Sequence, residues 1–120
     1  MYSKVLLVFV GGGIGTVLRF LLNTLMNVSS LPQFSTLFIN VLGSFLFGII
    51  YSIVAENSLV SIFLLTGILG GFTTYSQFTF DLIQLNTQSQ LSTVSYFFAT
   101  VLLSIIGALI GVYIGSKLVN

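Results

Sequence analysis

Cysteine and histidine are absent from this 120-residue sequence, and charged residues are scarce. The missing residues exclude a disulfide framework, a metal site built on Cys or His, and catalysis by a cysteine or a histidine-activated serine. Charged residues make up only 4% of the chain, three basic and two acidic, which is too few to cover a water-facing surface. The net charge of +1 does not favour nucleic-acid binding. These absences predict a non-enzymatic protein whose surface faces lipid.

Apolar residues make up 56% of the chain and fall into long runs. A transmembrane helix needs about 20 such residues, so the length accommodates about four helices and no separate soluble domain. The sequence therefore predicts a single all-α membrane domain, multi-pass in the cell membrane, over residues 1–120. Its helices are expected at about 5–26, 34–54, 59–80 and 94–115, joined by polar segments at 27–33, 56–58 and 81–93. A signal peptide is disfavoured, because glycines and an arginine interrupt the first run.

The third span has an unusual middle, with the sequence GGFTTYSQ at residues 70–77. Paired glycines, adjacent β-branched threonines and further polar residues are poor material for a continuous helix. We therefore expect this helix to be broken near its middle. Unwound backbone at membrane depth is tolerated only where it is buried in protein or lines a wet cavity. The break is thus a candidate ion site.

Two other spans carry polar residues at every fourth position, which places each set on one face of its helix. The sets are Thr36, Asn40 and Ser44 on the second span, and Tyr96, Thr100 and Ser104 on the fourth. Small and polar residues also mediate ordinary helix packing in membranes, the interpretation favoured for Gly107, Gly111 and Gly115. Because both stripes hold neutral donors and no fixed charge, they suit passive passage of an anion or a neutral solute.

Arg19 lies about two-thirds of the way along the first span. The sequence leaves two interpretations open: helix–helix bonding or snorkelling, and electrostatic attraction of anions in a vestibule. The glycine run at 11–15 does not complete a G-x-G-x-x-G motif, because Thr16 takes the last position. It predicts close helix packing and not dinucleotide binding.

Three segments together resemble the Fluc/CrcB family of fluoride channels. Residues 11–20 (GGGIGTVLRF) are similar to the opening motif of that family, 36–45 (TLFINVLGSF) to its second-helix motif, and 67–78 (GILGGFTTYSQF) to its third-helix signature. The order and spacing of the motifs extend the resemblance over nearly the whole chain. It implies a fluoride-selective channel that exports fluoride passively and relieves its toxicity.

The resemblance also implies an assembly and a set of site residues. The family forms antiparallel, dual-topology dimers with two fluoride pores, embedded in membrane lipid, and a structural sodium ion at the dimer centre. The sodium would be held by the backbone carbonyls of Gly70 and Thr73. The pore would be lined by Asn40, Thr36, Tyr75, Phe78, Tyr96, Thr100 and Ser104, with Arg19 in the vestibule.

Tyr75 departs from the phenylalanine that the family carries at this position. Some members pair with a paralogous subunit whose aromatic positions differ, so a homodimer is expected and a heterodimer stays an alternative. A small multidrug transporter is a second alternative, but it requires a membrane-buried carboxylate. Glu56 is expected in a turn and Asp81 at a helix end, which disfavours that mechanism. A membrane scaffold is a third alternative, in which the polar stripes only mediate packing.

Overall fold

The computed structural model describes residues 1–26 and 33–120. It contains α1 (Tyr2–Met26), α2 (Gln33–Ile53), α3 (59–72), α4 (Tyr75–Asn86) and α5 (Gln90–Val119). α3 and α4 together form the third span. The four spans, Tyr2–Met26, Gln33–Ile53, Leu59–Asn86 and Gln90–Val119, are each long and apolar enough to cross a membrane. The predicted all-α architecture with a broken third helix is confirmed.

The helices extend beyond several predicted bounds. Most of the segment 81–93, expected to be a loop, is helical: α4 continues to Asn86 and α5 begins at Gln90. Ser89 caps α5 by accepting a hydrogen bond from the Ser92 N–H at 3.2 Å, and such a cap satisfies a backbone donor at the helix start. The polar composition of this segment therefore reflects helix ends, not a long loop. The predicted connection at 27–33 lies outside the described residues, except for Gln33.

The turn between α2 and α3 lies where the sequence places it, and Glu56 within it is exposed. Asn57 adopts a left-handed φ of 59°, a conformation that asparagine tolerates better than most residues. Ser58 then caps α3 by accepting from the Ser61 N–H at 3.1 Å. The turn at Asn57 and the Ser58 cap together determine where the third span begins.

Glycines allow α1 and α3 to pack backbone against backbone. A Cβ atom on Gly15 would overlap the Ile68 carbonyl oxygen, and one on Gly11 would lie 2.8 Å from the Phe63 carbonyl oxygen. The facing stretch of α3, Ile62–Leu69, is a π-helix, a form that is rare and often found at functional sites. The predicted packing role of the glycine run is confirmed for Gly11 and Gly15.

α2 packs along α5 through a second set of glycines. A Cβ on Gly111 would overlap the Phe45 carbonyl oxygen, and one on Gly115 would lie 2.6 Å from that of Ile49. A Cβ added at Gly107 would lie 3.3 Å from the Val41 carbonyl oxygen. The packing role predicted for these three glycines is confirmed. Close approach of this kind supplies the van der Waals contact that holds membrane helices together.

Candidate functional site

The third span breaks at Thr73 and Thr74, which both have extended backbone. Thr73 has φ −83° and ψ 158°, and Thr74 has φ −145° and ψ 126°. The helix resumes at Tyr75, and the Thr74 hydroxyl caps it by accepting from the Gln77 N–H at 3.2 Å. The two threonines therefore end one helix and begin the next, as their β-branched and capping character favours.

Asn40 of α2 holds the break through both ends of its amide. Its Oδ1 accepts from the Thr74 N–H at 2.8 Å, and its Nδ2 donates to the Thr74 carbonyl oxygen at 2.9 Å. Gly43, one turn further along α2, leaves room for the break, because a Cβ there would overlap the Thr73 Cγ2. Lipid offers no hydrogen-bond partner to unwound backbone. The Asn40 amide supplies the partners that water would supply to the Thr74 N–H and carbonyl outside a membrane.

The break frees the carbonyl groups of Gly70 and Thr73 from their usual helical donors. In a continuous α-helix the Gly70 carbonyl would accept from the Thr74 N–H, and the Thr73 carbonyl from the Gln77 N–H. Here the Thr74 N–H donates to Asn40 and the Gln77 N–H donates to the Thr74 hydroxyl. Gly70 and Thr73 are the residues that the family resemblance implies as sodium ligands.

A cavity of about 500 Å³ adjoins the break and brings most of the predicted site residues together. The predicted residues that line it are Asn40, Gly70, Thr73, Tyr75, Phe78, Thr100 and Ser104. Ser44, from the predicted α2 stripe, also lines it. The polar stripes of α2 and α5 therefore meet at the broken helix, with aliphatic side chains completing the wall.

Two hydroxyl groups beside this cavity have no partner within the described chain. The Thr100 Oγ1 and the Ser104 Oγ are both buried and form no hydrogen bond with residues 1–26 or 33–120. Leaving a buried hydroxyl unpaired costs about 1–3 kcal/mol. Such a cost is expected where the hydroxyl serves a ligand and not the fold.

Two aromatic residues follow the break and differ in exposure. Phe78 is 6% exposed, whereas Tyr75 is 80% exposed in the single chain. Their rings meet edge to face, with centroids 6.0 Å apart and an interplanar angle of 67°. Aromatic edges carry partial positive charge, so ring edges at the cavity can face an anion without a formal charge.

Tyr96 and Thr36 are not among the residues that line this cavity, and they belong to a buried polar cluster. The Tyr96 ring contacts Phe78 with centroids 5.5 Å apart. Thr36 and Thr100 lie near the Tyr96 hydroxyl, but the Thr100 Oγ1 does not reach hydrogen-bond geometry with it. That hydroxyl donates to Asp81 Oδ2 at 2.7 Å. The structure thus connects Thr36 and Tyr96 to the site through Phe78 and Thr100.

Asp81 is the residue that sequence reasoning missed. It was expected at a helix end, but it lies inside α4, is 2% exposed, and accepts a second bond from Gln77 Nε2 at 2.9 Å. The only sequence signal was its spacing, one helical turn after both Gln77 and Phe78. A buried carboxylate with two donors is therefore built into the helix that follows the break.

Arg19 contacts the break from α1 and is not among the residues that line the cavity. Its Nε donates to the Gly71 carbonyl oxygen at 3.1 Å, and the side chain is half-buried. Of the two interpretations left open by the sequence, the structure shows helix–helix bonding. The predicted vestibule role remains a prediction.

Comparison with known proteins matches the sequence to a family. A family model described as CrcB-like protein, Camphor Resistance (CrcB), matches residues 6–115. The chain is 40% identical over 116 residues to the fluoride-specific ion channel FluC of Rhizobium meliloti (strain 1021), covering 91% of this chain and 93% of that relative.

Two relatives from one organism are also similar to the chain. It is 37% identical over 105 residues to the fluoride-specific ion channel FluC 1 of Staphylococcus haemolyticus (strain JCSC1435), covering 86% of this chain and 89% of that relative. It is 38% identical over 117 residues to FluC 2 of the same strain, covering 94% and 93%. With the family model matching nearly the full length, the chain belongs to the CrcB family of multi-pass membrane proteins.

Proposed function

We propose that this chain is a subunit of a fluoride-selective channel that lets fluoride leave the cell passively. Three relatives described above are named fluoride-specific ion channels, and the residues that line the cavity beside the break include neutral polar residues and aromatic residues. Fluoride enters a cell as the weak acid HF and is trapped there once the acid dissociates. A selective channel relieves this accumulation without ATP or proton coupling.

The buried hydroxyls of Thr100 and Ser104, which have no hydrogen-bond partner among residues 1–26 and 33–120, carry the proposal. They lie one helical turn apart on α5, so an ion leaving one donor would meet the next about 6 Å further along the helix axis. Neutral donors can replace part of the hydration shell of fluoride without binding it too tightly for release. The test is ion efflux from liposomes that contain the purified chain, comparing fluoride with chloride.

Asn40 would contribute in two ways. An amide nitrogen carries two N–H groups, and one of them is engaged by the Thr74 carbonyl. The second N–H is available to an ion in the cavity, because Asn40 lines it. Since the Thr74 contacts fix the amide plane, the donor would be held in place before the ion arrives.

The active unit is proposed to be an antiparallel homodimer with two pores. Tyr75 supports a second copy, because the residue is 80% exposed near the middle of the third span, where lipid offers its hydroxyl no partner. The homodimer predicts that the chain expressed alone conducts fluoride and forms intersubunit crosslinks at Tyr75→Cys. Conduction only after co-expression with a paralogue would instead support the heterodimer; two relatives named FluC 1 and FluC 2 exist in one organism.

A sodium ion at the dimer centre is proposed as a structural cofactor. In the described part of the chain, no group of three or more acidic, histidine or cysteine residues could hold a metal, so backbone oxygens are the suitable donors. The Gly70 and Thr73 carbonyls fit, because both have lost their helical donors and hard cations prefer oxygen ligands. Two subunits would supply four carbonyls.

Exchange of sodium tests this cofactor. Protein purified and reconstituted with N-methylglucamine in place of sodium is expected to lose fluoride efflux and to regain it when sodium is added. Unchanged efflux after complete removal of sodium would contradict the proposal.

A further inference from the structure

Gly71, in the last turn of α3, has a carbonyl group that cannot be satisfied by its own helix. In a continuous helix its donor would be the Tyr75 N–H, but the extended backbone of Thr73 and Thr74 carries that group away. The Arg19 Nε instead donates to the Gly71 oxygen at 3.1 Å, and the Thr16 hydroxyl lies 3.5 Å away. The Arg19 bond is therefore the principal replacement for the missing helical donor.

The approach of α1 that makes this bond possible depends on glycine. A Cβ on Gly71 would lie 2.5 Å from the Gly12 carbonyl oxygen and 3.1 Å from the Thr16 Oγ1. No larger residue fits there, so the backbone of α3 lies directly against α1 at its last turn. This contact sets the distance from which the Arg19 side chain reaches the freed carbonyl.

The break is consequently held from two sides. Arg19 of α1 bonds Gly71 before the extended segment, and Asn40 of α2 bonds Thr74 after it. Phe72 and Thr73 lie between these fixed points. Side chains from neighbouring helices thus fix the backbone at Gly71 and at Thr74, on either side of these two residues.

We propose that Arg19 is a positioning residue that holds the broken helix in its conducting shape through its Nε–H, and that its positive charge is not required for this role. The inference rests on the proposed function only in using fluoride efflux as one readout. It differs from the vestibule interpretation, in which the guanidinium charge attracts anions. The two roles can be separated, because the bond is made by one nitrogen at a fixed position along the side chain.

Glutamine and methionine provide the matched pair of variants. The Gln Nε2 lies the same number of bonds from Cα as the Arg Nε and carries N–H donors without charge. Methionine has the same length with neither donor nor charge. Arg19→Lys keeps the charge but places its ammonium one atom further out. The comparison of Arg19→Gln with Arg19→Met therefore isolates the hydrogen bond.

The expected result is a separation of the two variants in liposome efflux. Arg19→Gln should conduct within about threefold of the wild type. Arg19→Met should lose about tenfold or more, since the half-buried Gly71 carbonyl then keeps only the long contact with the Thr16 hydroxyl within the described chain. The loss in Arg19→Met should be equal at low and high ionic strength, because screening weakens a charge effect but not a lost hydrogen bond. Equal losses in Arg19→Gln and Arg19→Met, or no loss in either, would overturn the proposal.

Amide hydrogen exchange is a second measurement of the positioning role of Arg19. It can be used where a variant folds poorly or where the chain does not conduct. In detergent micelles, the Thr74 amide should exchange faster in Arg19→Met than in the wild type and at the wild-type rate in Arg19→Gln. This measurement does not depend on fluoride. Failure of wild-type efflux with this exchange pattern intact would contradict the proposed function alone, and uniform exchange rates across the variants would contradict the positioning role.

Discussion

Asn40 bonds both the N–H and the carbonyl oxygen of Thr74, at 2.8 and 2.9 Å. One side chain on α2 thereby satisfies both polar groups of an extended residue in the middle of the third span. This pairing satisfies both backbone polar groups of Thr74 at membrane depth, where lipid offers them no partner. It also fixes the amide beside the cavity that collects the other polar residues.

Removing the Asn40 amide should impair both stability and conduction. Asn40→Ala leaves the Thr74 N–H and carbonyl unpaired, which is expected to lower stability by about 1–3 kcal/mol. Asn40→Asp keeps an acceptor for the Thr74 N–H but loses the donor and adds a negative charge that repels fluoride. Both variants should reduce fluoride efflux from liposomes by about tenfold or more.

Thr24→Val is the matched control for these variants. Thr24 is exposed on α1, and its hydroxyl donates to the Phe20 carbonyl oxygen of the same helix. It should conduct like the wild type. Wild-type efflux in Asn40→Ala would show that the amide is needed neither for the break nor for the ion.

The Thr100 and Ser104 hydroxyls should matter for conduction but not for folding. Thr100→Val and Ser104→Ala remove a hydroxyl that has no partner in the described chain, so thermal stability is expected to stay equal or to rise slightly. Fluoride efflux should fall about tenfold, because a hydrogen bond to a charged group is worth about 1.5–3 kcal/mol. Ser95→Ala, on the exposed part of α5, is the control. Lower stability with unchanged efflux would favour the scaffold alternative.

The Tyr75 ring, and not its hydroxyl, is expected to be the functional part of this side chain. Tyr75→Phe keeps the edge that meets Phe78 and should conduct at least as fast as the wild type. Tyr75→Ile removes the ring edge and should conduct about tenfold less, since an aromatic contact is worth about 0.5–1.5 kcal/mol. The measurement is fluoride efflux at equal protein density. A slower Tyr75→Phe would assign the hydroxyl a direct role.

Close glycine packing between α2 and α5 should contribute to the stability of the protein. Gly111→Ala introduces a Cβ that would overlap the Phe45 carbonyl oxygen, so the helices must separate at a cost of about 1–3 kcal/mol. Its melting temperature in detergent should fall. Gly13→Ala, where a Cβ meets no atom of the described chain within 4 Å, should melt within error of the wild type. Equal melting of both variants would contradict the packing described for α2 and α5.

The sequence predicted features that depend on local composition. Four apolar runs gave the spans, and the Gly-Gly and Thr-Thr pairs at 70–74 gave the break. Polar residues at every fourth position predicted the two polar stripes, because helix periodicity alone places those residues on one face. Bringing the stripes together at the cavity required only that α2, α5 and the break be neighbours.

Features that depend on contacts between helices were not predictable in this way. Asp81 appears at the start of a polar segment, and only its bonds to Gln77 and Tyr96 show why it is buried in a helix. The π-helical stretch Ile62–Leu69 carries no distinct local pattern. The role of Arg19 at Gly71 likewise depends on how closely α1 and α3 approach.

The burial of Asp81 means that a drug transporter can no longer be disfavoured by the lack of a membrane-buried carboxylate. The sequence placed no carboxylate inside the membrane helices, whereas the structure places Asp81 there at 2% exposure. Membership of the CrcB family excludes the transporter on other grounds, since the family model covers residues 6–115.

The central claim is that neutral donors and ring edges in this chain conduct fluoride selectively. The most direct test is efflux from liposomes that contain this chain alone, recorded in parallel with fluoride-selective and chloride-selective electrodes. Rapid fluoride release with chloride retained is the predicted result. Equal release of the two halides, or release of neither, would contradict the account.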